Sequence, residues 1–275
     1  MLFRSHRELL DHLAADFRDN GWNVKDLVRA IVTSEVYKQS SRATPEMLAR
    51  DPDNRLLARG PRFRLPAELI RDGALKTSGL LVDQLGGPSV NPYTPGDPWR
   101  EISHYGSSPA TAQAFIQDHG EKLHRRSMYT YWKRTLPPPN MAIFDAPNRE
   151  LCTFERASTN TPLQALVMLN DEQFVEAARA FAERIMRRGL ETDAQRVVWA
   201  FAEATSRIPT DAESGVLVAA LARERARFAR DGVAARALVA HGESPRDESL
   251  PVTDHAAWTQ VAAVLLNLSE TVTRN

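Results

Sequence analysis

Cysteine is almost absent: Cys152 is the only one in 275 residues. That excludes an internal disulfide framework, a multi-cysteine zinc centre and a CxxCH haem attachment within this chain. An excess of charge is missing too, with 35 Lys+Arg against 35 Asp+Glu. A dedicated DNA-binding domain carries a basic surplus for its phosphate contacts, and there is none here. No apolar run approaches the ~20 residues that span a bilayer. The opening MLFRSHRELLDHLAADF lacks the basic stretch and apolar run of a secretory signal and reads as the start of a helix. Phosphate-loop, G-x-S-x-G and H-E-x-x-H signatures are all lacking. Gly86-Gly87-Pro88 has neither the lysine nor the helix start that a phosphate cradle needs.

Metal-ligand spacing is equally sparse. The histidines are His6, His12, His104, His119, His124, His241 and His255. None forms an i, i+4 pair on a clear helix, and His119 and His124, five apart, splay around one. Asp51-Pro52-Asp53-Asn54 has the look of a calcium loop, but Leu56 stands where glycine is needed and Arg62 where a bidentate carboxylate is needed. An Asx-turn is the expectation there. Only five of the 35 basic residues are lysines (Lys25, Lys38, Lys76, Lys122, Lys133). Arginine's planar fork suits bidentate pairing with carboxylates, although genomic base composition is the plainer source of such a bias.

What is present is helical periodicity. A capping box of Ser5 and Glu8 precedes the stripe Leu9, Leu10, Leu13 and Phe17, and Asn20-Gly21 stops it. A second helix is expected from Lys25 or Asp26 to Tyr37, with Leu27, Val28, Ile31, Val32 and Val36 as a wide buried face. Residues 39–65 read as loop, and Pro66 opens a helix that ends near Gly79. From Gly86 to about Gly120 proline and glycine pairs break every period, so an extended surface loop is expected. RRSMYTYWKRTL, Arg125 to Leu136, has the aromatic content of a short strand, ended by a polyproline turn at Pro137-Pro138-Pro139. Capping signals at Thr161/Gln164, Thr192/Gln195 and Thr210/Glu213 then start three helical stretches, the first carrying a candidate break at Asn170-Asp171. Short connections make them an antiparallel array. Residues 241–254 read as a polar linker before a last helix, Ala256 to Leu268. The fold class is therefore mainly α: a helical array with a long irregular loop at about 86–120 and a small strand-like segment near 125–145. The expected division is an N-terminal helical part with an irregular polar segment, 1–160, and a C-terminal array, 161–275, in one continuous domain.

The polar segment 125–160 is where specific chemistry is expected, because loops held by rigid elements concentrate binding residues. Candidate catalytic carboxylates are Asp145, Glu150 and Glu155, since glycosidases need two flanking a sugar-sized groove. Candidate binding residues are Arg125, Arg126, Tyr129, Trp132, Arg149, Arg156 and Asn160. Against these stands a structural reading: Asp145 pairs with an arginine and pins the loop, with Cys152 as a small buried hydrophobe. The basic and aromatic stretch 122–134 has the composition that stacks single-stranded nucleic acid, and a solvated face with buried aromatics is the commoner source of it. No metal or cofactor site is expected in this chain.

In order along the chain, SHRELLDHLAADF, GWNVKDLVRAIVTSEVYKQSS, DPDNRLLARGPRFRLPAELIRDGALKTSGLL, RRSMYTYWKRTLPPPNMAIFDAPNRELC, TNTPLQALVMLNDEQFVEAARAFAERI and SRIPTDAE resemble one family. It is the C-terminal PSD-type domain of unknown function in planctomycete cytochrome-c-containing proteins. The resemblance implies an extracytoplasmic or periplasmic protein docked to electron transfer, with haem c in a separate domain. It implies a haem-bearing partner in the same assembly, a glycan as a further partner, and a context of carbohydrate oxidation or breakdown. It brings no catalytic roles to Asp145, Arg149, Cys152 or the TNTPLQAL positions. Because the chain starts at a helix inside the family's domain, without export signal or haem motif, it reads as an N-terminally truncated copy. The leading expectation is an accessory interaction module. A carbohydrate-active hydrolase or oxidoreductase using carboxylates of 145–156 is the alternative, and nucleic-acid binding through 122–134 a second.

Overall fold

The computed structural model describes residues 6–101 and 114–274. Ser5, His104 and the middle of the 86–120 loop lie outside the described residues. Two compact units partition the chain, Met1–Phe63 with Thr273–Asn275, and Arg64–Val272.

In the first unit α1 (Arg7–Asp19) ends at Asn20, and α2 (Val24–Thr33) starts where the Asn23 side chain accepts the amides of Lys25 and Asp26. Ser34 divides the single helix expected to reach Tyr37: its hydroxyl donates to the Ile31 carbonyl and accepts the Tyr37 amide, capping α3 (Glu35–Lys38). A short α4 (Pro45–Arg50), capped by Thr44 with proline in the first turn, sits inside the expected loop. The Asp51 carboxylate then accepts the amides of Arg55 and Leu56, four and five residues on, so it closes a wider loop than the expected Asx-turn, which bonds two residues on. Gly60 is required by space, because a Cβ there would strike the Gln39 carbonyl.

None of the residues of α1 to α4 is buried. The face expected to be buried on the second helix is open, with Val28 51%, Ile31 42% and Val36 45% exposed. Periodicity specifies that a face is apolar; it does not specify what covers it.

The second unit is built on α5 (Ala67–Ser78), α6 (Pro98–Glu101), α7 (Pro139–Ala142), α8 (Pro162–Asn170), α9 (Glu172–Met186), α10 (Asp193–Thr205), α11 (Asp211–Arg230), α12 (Gly232–Val239), α13 (Val252–Leu266) and α14 (Ser269–Val272). Among the described residues strands are limited to β1 (Phe63–Arg64) and β2 (Thr273–Arg274), which pair, so the protein is mainly α. α13 is the centre, with α9, α10, α11 and α12 packed on it. Past its first turn its sequence is mostly apolar, and Ala256, Ala257, Trp258, Val261, Ala262 and Leu265 are at most 1% exposed, the pattern of a helix packed by others on most of its surface. α9 presents Phe174, Ala177, Phe181 and Ile185 to it from one face.

Helix starts in this unit are chemically local. The reciprocal boxes Thr161/Gln164, Thr192/Gln195 and Thr210/Glu213 are all formed, and the Asp171 side chain accepts the Gln173 amide to separate α9 from α8. The strand-like run is a 3-10 turn, Ser127–Tyr129, among isolated bridges Val82 to Arg125, Val90 to Thr130 and Lys133 to Leu136. Pro139 opens α7 in place of a polyproline turn, since a missing amide costs nothing at a first helical position. The described part of the 86–120 loop is irregular and largely at the surface, as expected, but Val90, Tyr93 and Trp99 are buried and anchor it. Turn formers punctuate that segment, but its scattered large side chains are held by distant partners.

Candidate functional site

The polar segment 125–160 is assembled largely as internal scaffolding. Arg125 is buried and donates to the carbonyls of Gln84 (3.0 Å), Gly86 (2.5 Å) and Pro88 (3.3 Å), with its guanidinium 4.0 Å from the Tyr129 ring. The Tyr129 hydroxyl accepts the Gly86 amide at 2.6 Å. Two of the expected binding residues therefore peg the 84–88 turn. Arg126 stands 3.7 Å from Asp83. Arg149 lies 4.3 Å over Trp132, whose indole N–H donates to the Asn148 carbonyl. Arg156 pairs with Glu68 at 2.8 Å, and the Asn160 side chain accepts from Arg64 at 3.0 Å.

Asp145 does not face a substrate groove as a free carboxylate. In left-handed backbone (φ 61°) it accepts the Thr159 amide at 2.7 Å and the Thr159 hydroxyl at 2.8 Å, closing the base of the 146–158 loop. Its closest bonds are thus to a threonine and not to an arginine. The tip of that loop is open: Glu150 and Glu155 are exposed, and Cys152 is exposed rather than buried. Leu151 and Phe154 project into solvent, Phe154 completely.

The most enclosed cluster of ionisable groups lies elsewhere. Glu176 on α9 is fully buried and receives the His124 ring Nε2 at 2.9 Å and the Ser244 amide at 2.6 Å. Burial, the largest influence, pushes its carboxyl up, but the bonds from His124 and Ser244 together outweigh it and hold the group at about 2. Burial and Glu176 push the Tyr93 hydroxyl above its ordinary range, and that hydroxyl accepts the Glu243 amide at 2.8 Å. Gly242 adopts φ 81°, and a Cβ there would collide with the Glu176 side chain. A His–Glu pair is the orienting half of a nucleophile triad. The nearby hydroxyl, Ser244 Oγ, is instead held by the Arg179 guanidinium. The cluster closes on itself, with Glu176, His124, Ser244 and Arg179 each bonded to another protein group.

Beside it, Arg71 on α5 is 3% exposed and donates to Gln173 (2.5 Å) and to the carbonyls of Arg125 and Leu123 (both 2.6 Å). Burial lowers this guanidinium to about 10. Burial also pushes Asp171, the α9 cap, up to about 6 against the opposing Gln173 amide and Arg71 charge. Among the described residues no group of three His, Cys, Asp or Glu side chains is placed to hold a metal ion, and no helix is long and apolar enough to cross a membrane.

Tyr93, His124, Glu176 and Gly242 carry no local motif, and the linker reading of 241–254 missed their meeting point. The available signal was two charged residues, Glu176 and Arg179, in phase with the buried stripe of α9.

A family model described as PSD1, "Protein of unknown function (DUF1553)", matches residues 4–221. Neither the curated proteins nor the solved structures yield a match.

Proposed function

Because the chain belongs to the PSD1 family of proteins of unknown function, we propose that it acts as a non-catalytic docking module of an extracytoplasmic redox assembly whose haem is carried by another domain or protein. The observation that carries this reading is α2. Its apolar residues fall on one face, yet none of its residues is buried, and Val24, Val28, Ile31 and Val32 are 62%, 51%, 42% and 40% exposed. Contiguous apolar surface of this kind marks an interaction site. The haem-bearing partner, the export and the context of carbohydrate oxidation come from the family resemblance. Against the rival hydrolase reading stands one candidate carboxylate, Asp145, which accepts from the Thr159 amide and hydroxyl.

Isolation of the tagged chain from its native host tests the proposal, with c-type haem absorbance read in the eluate. Haem is expected to accompany the unaltered chain and to be lost from a Val28→Asp/Ile31→Asp variant that retains its helicity. Equal haem with both chains, or haem with neither, contradicts it.

A further inference from the structure

We infer that residues 241–247 form an acid-released strap, clasped along one face of α9 by carboxylates and opened by their protonation. Glu172, Glu176, Arg179, Glu183 and Arg187 follow one another at helical spacing and so share that face. Each engages the strap: Gly242 N–H donates to Glu172 (3.3 Å), Ser244 N–H to Glu176 (2.6 Å) and Asp247 N–H to Glu183 (3.0 Å). Arg179 donates to the Ser244 carbonyl at 2.6 Å, and Arg187 pairs with the Asp247 carboxylate at 2.6 Å. The Glu243 amide goes to the Tyr93 hydroxyl. On the opposite edge the Glu243 carboxylate gathers His119 Nδ1 (2.7 Å), the Gly120 amide (3.2 Å) and Gln117 (3.3 Å).

Five carboxylates thus hold seven residues of chain, and protonation removes the charge that makes their hydrogen bonds strong. The groups facing them are His124, Arg179 and the Tyr93 hydroxyl at Glu176, His241 at Glu172, Arg187 at Glu183 and Asp247, and His119 at Glu243. Glu176 and Asp247 are held at about 2, and Glu243 below its ordinary value. A depressed carboxylate contributes stability above its unfolded value that is lost as pH falls through its folded one. His255, lowered by burial, acts with the same sign: its Nδ1 lies 3.2 Å from Arg246 Nε and its Nε2 3.0 Å from the Arg179 carbonyl, so it accepts from one arginine only while neutral.

Hydrogen exchange on the whole chain, corrected for the intrinsic pH dependence of exchange, reads the opening directly. Protection of the 242–247 amides is expected at pH 7 and to fall by about tenfold or more below about pH 3.5, under the ordinary carboxylate range, while the α13 amides stay protected. Gly242→Ala, which cannot seat against Glu176, is expected to expose the same amides already at pH 7. Strap protection that is unchanged by acid, or that is lost only together with α13, overturns the inference. So does a Gly242→Ala strap as protected as the original; should that variant fail to fold, which α13 exchange reports, the pH series alone decides.

Discussion

At the residue scale the informative positions are those where environment and ordinary preference disagree. Asp171 keeps its proton to about 6 in the folded chain because burial penalises its charge, whereas an unfolded aspartate releases it near 3.8. The contribution is fully present below about 3.8 and is lost as pH rises through about 6, the sign opposite to that of Glu176. Asp171→Asn retains a capping side chain and is expected to flatten the stability profile between about pH 4 and 6, measured by urea titration at each pH. A profile unchanged by the substitution contradicts this account of the cap. Gly73 lies inside α5 with no atom within 4 Å of an added Cβ. It borders a cleft lined also by Ile70, Thr77, Met168, Leu266 and Thr271. Gly73→Ala is expected to stabilise the chain by about 0.5–1 kcal/mol through helix propensity, seen as a higher urea midpoint. A lower midpoint shows that the open space serves another purpose.

At the element scale, legibility followed sequence separation. The three capping boxes were readable because donor and acceptor stand three residues apart, and the Asn170-Asp171 break because Asp171 caps its own helix. The Ser34 break was not, since serine is tolerated inside helices and its dual bond to Ile31 and Tyr37 appears only in the fold. Residues 241–247 read as a linker because the partners that clasp the strap to α9 and to Glu243's neighbours are remote: Ser244 meets Glu176 across 68 residues and Glu243 meets His119 across 124. The 125–160 segment was singled out by its density of charge, but that density serves the fold at Arg125, Asp145 and Arg156. Composition reports that polar groups are concentrated; only geometry reports whether they face one another or a ligand.

At the scale of the whole molecule, the balanced charge and the preponderance of arginine have one structural expression. Arg207 forks between Glu213 and Glu270, joining α11 to α14, and Arg225 on α11 reaches Asp193 of α10 and Asp254 of α13. A planar guanidinium bonds two carboxylates at once, which a lysine ammonium does with less directional fit. Within the second unit charge is thus largely spent on joining helices. The first unit has the inverse economy: α2 and α3 leave Val28, Ile31, Val32 and Val36 open to solvent. The occupant proposed for this face is the haem-bearing partner that the family resemblance implies. The direct measurement is hydrogen exchange of α2 and α3 in the isolated chain and in its native assembly. Docking predicts slowed exchange across 24–38 in the assembly, reversed by Val28→Asp/Ile31→Asp; the same exchange in both states would contradict it.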